Sequence, residues 1–248
     1  MIYRLSAAAA LLIGTLALTA CGGGGGSGID VRTDGPLERE IPAADSVLIS
    51  DMHVTHPDIS PVRISDIDCM VSTLSCTASI LEESYEFSLD ADNVDLSGVS
   101  ATVNVVNTNG DWEFMQAAAR FERLQSGELS GLEARYAYVG GVKANSLPAQ
   151  GSAIWRGDMV GLDANNRAVR GEAELTLEDW TDPRLDVTLT PQGRSVMTWE
   201  DLPVAAGRFS QQRRIDDYIR GEFYGRAATE TGGVFERGGL VGAFGAAR

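Results

Sequence analysis

Three cysteines and two histidines are the side chains in this sequence best suited to covalent, redox or metal chemistry. Both histidines, His53 and His56, sit in one short stretch with Asp51 and Asp58, a donor set that a divalent cation would accept. Their spacing matches no standard zinc pattern and Pro57 interrupts the group, so they read as solvated loop histidines and no metal is assigned. The run Asp90-Ala-Asp-Asn-Val-Asp95 has the oxygen chemistry of calcium but fails as an EF-hand loop, because Asp95 stands at the position that requires glycine. Clustered aspartates at a turn account for it. With no serine–histidine arrangement, nucleophile elbow or glycine-rich phosphate loop, the chain reads as a non-enzyme without a cofactor. Haem ligation by histidine would fall to His53 or His56.

The cysteines separate into one and two. Cys69 and Cys76 lack the C-x-x-C spacing of a redox or metal pair, and in an oxidising compartment an isolated pair reads as a disulfide. Cys21 follows a basic N-terminus, an apolar run over Leu5–Leu16 and the tetrad Leu18-Thr19-Ala20-Cys21. The run is shorter than a comfortable membrane span and has the shape of a secretory signal. The tetrad resembles the lipobox of bacterial lipoproteins, which implies removal of residues 1–20 and lipidation of Cys21. Such an anchor, palmitate among its chains, would hold the protein to a membrane far more firmly than one acyl chain does. Gly22 in place of aspartate implies, by the same resemblance, passage to the outer membrane of a Gram-negative cell. Gly22–Gly28 is then a flexible tether, and residues 21–46 form the lipidated lead-in.

These chemical groups must be positioned by the chain beyond the tether, whose length suits one large domain or two small ones. The full chain's formal net charge of −15 argues against nucleic acid as a partner class, since phosphates would repel it. Residues 47–128 read as an upstream β-rich region. Within it Tyr85, Phe87 and Leu89 alternate with polar residues as a half-buried strand does. Phe114, Ala117, Ala118, Phe121 and Leu124 recur at helical spacing, with Asp111 and Gly127 placed as caps, so a helix is predicted over 111–126. Residues 129–248 read as strand and turn throughout. Alternating segments begin at Leu132–Val139 and continue through Ser152–Leu162, Val169–Leu177, Leu185–Leu189 and Ser195–Val204. Three more follow in Arg220–Arg248, the last two joined across Gly238-Gly239. About eight strands with short turns describe a small antiparallel up-and-down barrel, so the fold class is mainly β.

Two blocks carry a family resemblance. Leu147–Gly161, with its Gly-x-Ala-x-Trp-x-Gly pattern, looks like the first barrel hairpin of the transferrin-binding protein B type of surface lipoprotein. Gly221-Glu-Phe-Tyr-Gly225, Glu230-Thr-Gly-Gly-Val-Phe235 and Gly242-Ala-Phe-Gly245 are similar to that family's closing strands, and factor H binding protein carries a more distant version. Arg226 and Ala247 depart from the usual proline and lysine. The resemblance covers about residues 130–248 and implies a cell-surface lipoprotein that binds a protein or an iron or haem carrier through its strand-connecting loops. It names no ligand-binding residue, and there is room for one barrel where full members have two, which argues against transferrin itself. The alternative is a structural envelope lipoprotein with no soluble ligand.

Overall fold

The computed structural model describes residues 44–248 apart from 81–82, 90–94, 97–98, 111 and 127–128. Cys21 with its signal and tether, the Asp90–Asp95 run, Asp111 and Gly127 lie wholly or partly outside the described residues. No helix among the described residues is long and apolar enough to cross a membrane.

Among the described residues eighteen strands make three sheets. The first sheet uses β1 (Ser46–Ile49), β2 (Met52–His56), β3 (Ile59–Ile64), β7 (Asp95–Leu96), β8 (Val99–Asn107), β9 (Met115–Leu124) and β10 (Glu133–Gly141). Its order is β3-β2-β10-β9-β8-β7, with β1 also on β10. The second is a three-stranded sheet of β4 (Ile67–Met70), β5 (Ser75–Ile80) and β6 (Glu83–Ser88). The third is the closed antiparallel barrel: β11 (Ala153–Leu162), β12 (Ala168–Leu177), β13 (Arg184–Pro191), β14 (Met197–Ala205), β15 (Arg208–Arg214), β16 (Asp217–Tyr224), β17 (Glu230–Arg237) and β18 (Leu240–Ala247).

The seven-stranded sheet is the middle layer, and both of its faces are covered. Met52, Val54, Ala118, Ala134, Tyr136 and Tyr138 face the small sheet, where they meet Cys76, Ala78, Tyr85 and Phe87. The alternate residues Met115, Ala117, Ala119, Ala137 and Val139 pack on the outer wall of the barrel against Val160, Tyr224, Val234, Val241 and Ala243. This double burial explains the one element that the sequence misleads on. The helix predicted over 111–126 is a strand, β9, laddered to β8 and β10. A strand buried on both faces loses its period of two and presents a continuous apolar run, which periodicity alone does not separate from a helix. Ala117, Ala118 and Ala119 are good helix formers overruled by two flanking ladders.

The barrel count of eight holds, but its membership differs. Leu132–Val139, read as the first barrel strand, is largely β10 of the middle sheet. Its place in the barrel is taken by β15, which alternation does not reveal because Ser210, Gln211, Gln212, Arg213 and Arg214 are all polar. The inward faces of the other strands are as read: Trp155, Leu175, Val187, Ile219 and Phe223 all lie in the barrel core. That core is solid. Trp155, Trp199, Phe209, Phe223, Phe235 and Phe244 fill it, and Trp155 is tied down by its Nε1–H, which donates to the Ala228 carbonyl at 2.9 Å.

Glycines in the closing strands make close approaches possible. A Cβ at Gly221 would lie 2.1 Å from Phe209 Cζ inside the barrel. On the outer wall, a Cβ at Gly245 would lie 2.3 Å from Met115 Cε and 3.0 Å from the Trp112 ring, so this glycine lets the middle sheet sit down on the barrel.

Cys69 and Cys76 are directly opposed across β4 and β5, bonded at an S–S distance of 2.11 Å. Cys76 is fully buried beside the strands that cover the middle sheet. Changing both cysteines to serine is expected to remove about 2 kcal/mol, the loop-closure value for so short a ring. Thermal melts of wild type and the double variant, with and without reductant, check this: reductant should lower the wild-type midpoint and leave the variant's alone.

Candidate binding platform where the middle sheet meets the barrel

Alternation along β2 and β3 turns Met52 and Val54 into the core and His53 and Arg63 toward the barrel. There the two layers exchange charges. The Arg63 guanidinium donates through Nε to Asp51 Oδ2 at 2.7 Å and through Nη2 and Nη1 to both Glu236 oxygens, at 2.6 and 3.3 Å. From the barrel, Arg220 Nη2 donates to Asp51 Oδ1 at 3.0 Å, and the Asp51 backbone N–H donates to the Tyr218 hydroxyl at 2.8 Å. His53 Nε2 lies 3.1 Å from Glu236 Oε2. Asp51 and Glu236 are 7% and 2% exposed, so each carboxylate depends on these partners for the hydration it gives up. The Arg220 guanidinium also covers the Tyr218 ring at 4.8 Å. Burial first, and then the Asp51 charge, hold the Tyr218 phenol above its ordinary value and keep it protonated.

The same junction is stitched along its length. Glu230 of β17 accepts the backbone N–H groups of Glu113 and Phe114, at 2.6 and 2.9 Å. Glu222 of β16 accepts from the Ser46 hydroxyl and from Arg208. Arg170 Nη1 donates to the Asn107 carbonyl at 2.7 Å. Together with the apolar contact these bonds make the middle sheet and the barrel one block.

The turns that follow this junction form a platform at one end of the barrel. Asp163, only 4% exposed, organises the β11–β12 turn. Its Oδ1 accepts the Asn165 and Arg167 backbone N–H groups at 2.8 and 2.9 Å, and its Oδ2 takes Arg167 Nε at 3.1 Å and Arg194 Nη2 at 3.5 Å. Its carbonyl accepts from Arg135 Nη1 of β10 at 2.8 Å. The turns at 163–167, 192–196, 215–216 and 238–239 therefore open at the same end, with exposed Val196 and Ile215 among them. A groove of mixed polar and apolar lining runs beside them, bounded by His53, Val62, Arg63, Phe121, Arg135 and Asn166.

Burial alone would push the Asp163 carboxyl up. The Arg167 and Asn165 amides and the Arg167 guanidinium outweigh it and hold the group below its ordinary value of 3.8. A depressed carboxyl contributes stability above its unfolded value and loses it as pH falls through the folded one. Asp163→Asn is thus expected to lower stability at neutral pH by about 1.5–3 kcal/mol, the range for charge-assisted hydrogen bonds. The gap to wild type should narrow as pH is taken below 3.8. Denaturant titrations at neutral and acid pH read this directly.

The residues that the sequence grouped for chemistry do not converge. Asp51 and His53 are both drawn into the arginine–carboxylate cluster, and His56 Nε2 meets the Ser130 carbonyl at 3.1 Å while its Nδ1 accepts the Asp58 N–H. Among the described residues no group of three or more histidines, cysteines and carboxylates could hold a metal ion. The cluster's other members, Arg63, Tyr218, Arg220 and Glu236, carry no local signal. Arg63 and Glu236 are 173 positions apart, and only the docking of sheet on barrel unites them.

Neither the protein-family profiles nor the curated proteins include a match to this chain. Solved structures do match. A mutant transferrin-binding protein B from Actinobacillus pleuropneumoniae H49 superposes with a TM-score of 0.51 at 13% identity, covering 81% of this chain and 98% of that one. The chain has the transferrin-binding protein B fold. The isotype 1 protein of serogroup B Neisseria meningitidis matches at a TM-score of 0.41 and 19% identity, over 81% of this chain and 43% of its own. A double mutant from Haemophilus parasuis Hp5 matches at 0.46 and 15%, over 80% of this chain and 44% of its own. The chain thus spans less than half the length of these last two transferrin-binding proteins B.

Proposed function

We propose that this protein is an outer-membrane lipoprotein, anchored through Cys21 and displayed on the cell surface, that binds a protein ligand such as an iron or haem carrier. The observation that carries the reading is the architecture: a sheet welded to a closed barrel, shared with transferrin-binding protein B over 81% of the chain. The barrel interior is filled by aromatic side chains, which favours recognition by the outer surface over enclosure of a small molecule. The platform suits that task because Asp163 and the Arg63 cluster hold its turns rigidly, so little ordering entropy would be lost on binding. The reading divides the chain into the signal (1–20), the lipidated tether (21–46) and the folded block that follows.

Three measurements test it. Metabolic palmitate labelling should mark the wild-type protein and not Cys21→Ala, and protease added to intact cells should remove the folded block. Protection of that block on intact cells would overturn surface display. Purified iron- and haem-carrier proteins are then to be assayed for binding to the folded block. Binding should be lost in the platform variant Val196→Glu with Ile215→Glu, whose melting temperature should stay at the wild-type value.

A further inference from the structure

The barrel is laddered along nearly all of its circumference, but at one place two neighbours part. β17 and β18 pair from Glu230↔Ala247 to Arg237↔Leu240. β14 and β15 share only Val204↔Phe209 and Ala205↔Arg208, beside the turn that joins them. The cause is in the residues. Continuing the ladder would set Pro203 against Ser210, and proline has no N–H to contribute. Two residues earlier Asp201 adopts φ 58°, and the register of β14 on β13 shifts there, so a bulge bends the strand. Beyond this point β14 is laddered only to β13 and β15 only to β16. Each is left with one strand edge unladdered.

The side chains at the parting make a slot of mixed character, polar on β15 and ending on the core residue Trp199 of β14. Beyond Phe209, β15 carries only polar residues: half-buried Gln211, directly opposite inward Ile219, and then exposed Arg213, where the register on β16 shifts. Arg213 Nε donates to Gln211 Oε1 at 2.7 Å, and Arg213 has no carboxylate partner among the described residues. On the β14 side, Trp199 is fully buried. The Arg237 guanidinium lies 3.8 Å over its ring and reaches from β17 to the Thr198 carbonyl at 2.8 Å. Trp199 Nε1 and Arg237 Nη2 are buried, and neither has an acceptor among the described residues. Buried donors in a folded protein are nearly always paired, so two unpaired ones at the same place point to an oxygen acceptor. Val196 and Ile215, 55% and 65% exposed, flank the parted ends.

We propose that this slot receives an extended segment of a partner protein, which adds as a strand between β14 and β15 and carries a carboxylate on its inward face. Strand addition supplies acceptors and donors to the two free edges, and the inward carboxylate meets Arg213 and the donors of Arg237 and Trp199. The charge favours an acid. Arg208 and Arg214 pair with Glu222 and Asp216, and Arg237 Nε donates to Asp217 Oδ1 at 2.7 Å, which leaves Arg213 as the cation on β15 with no carboxylate partner among the described residues. Glu200 and Asp201 of β14 are exposed, so positions of the segment that face outward next to β14 are neutral or basic.

The test uses two synthetic ten-residue peptides, alternating valine with glutamate or valine with lysine, added to the purified folded block at neutral pH. The glutamate peptide should bind at least about tenfold tighter than the lysine peptide, one charge contact being worth about that factor. It should slow hydrogen exchange of amides in 197–202 and 210–214 and leave β17 and β18 unchanged. Arg213→Glu, an exposed change, should weaken binding about tenfold or more, and Arg156→Glu on the opposite wall should not. Equal binding of the two peptides, protection elsewhere or no protection at millimolar peptide would overturn the proposal. Surface display is read on intact cells and carrier binding with whole carrier proteins and the Val196 and Ile215 variants, so either reading can fail without the other.

Discussion

Arg120→Met is expected to cost about 3–5 kcal/mol, the loss that follows when one partner of a buried ion pair is removed. Arg120 and Glu122 are both fully buried between the middle sheet and the three-stranded sheet, with Arg120 Nε 2.6 Å from Glu122 Oε1. Glu122 also accepts from the Tyr85 and Tyr136 hydroxyls, and Arg120 Nη1 donates to the Ser88 carbonyl at 2.6 Å. Burial first, and then the Glu122 charge, raise both phenols well above their ordinary values, so they stay donors at any working pH. With the guanidinium gone, a carboxylate is left in an apolar layer with two hydroxyls for company. For a chain of this size the midpoint should fall by roughly 6–20 °C. Arg120→Met combined with Glu122→Gln removes the stranded charge and should recover a good part of the loss. A single variant that melts within about 2 °C of wild type would show that the pair contributes little. The network is also a specificity device. Only one register of β6 on β5 turns Tyr85 toward Glu122, and a slip of one residue would point the phenol away.

Arg63→Met is the second large effect, and it differs in kind because it acts between layers. Asp51 and Glu236 keep Arg220 and His53, so the loss should lie near the lower end of the same range, about 3 kcal/mol. The expected signature is uncoupling. Limited proteolysis should cut the middle sheet while the barrel, closed and packed around its aromatic core, persists. A double-mutant cycle of Arg63→Met with Glu236→Gln should return a coupling energy of about 0.5–3 kcal/mol. Additive losses would mean that the two side chains stabilise the protein separately, and the platform would then not depend on this junction. Both experiments bear on function, since turns held against a sheet present a fixed surface, and turns on a free barrel do not.

The sequence and the structure divide the protein along a physical line. Where a strand has one buried face, the period of two is written in the residues. The inward residues of β11, β12, β13 and β16 were therefore legible, and so was closure of a barrel through Gly221–Gly245. Where a strand is buried on both faces the period vanishes, and β9 imitates a helix. Where a strand has an inward face turned polar by the parting of its neighbour, as in β15, it leaves no apolar pattern at all. The charged junction between the middle sheet and the barrel was illegible for a third reason. Its members are charged residues that look like ordinary solvated positions until residues up to 183 positions apart are docked together. Residue order by itself determined that this chain is acidic and mainly β, with a barrel formed by its C-terminal strands. Only the tertiary structure decided which charges are buried and paired, because burial of a charge belongs to the packing of whole layers and not to any one segment.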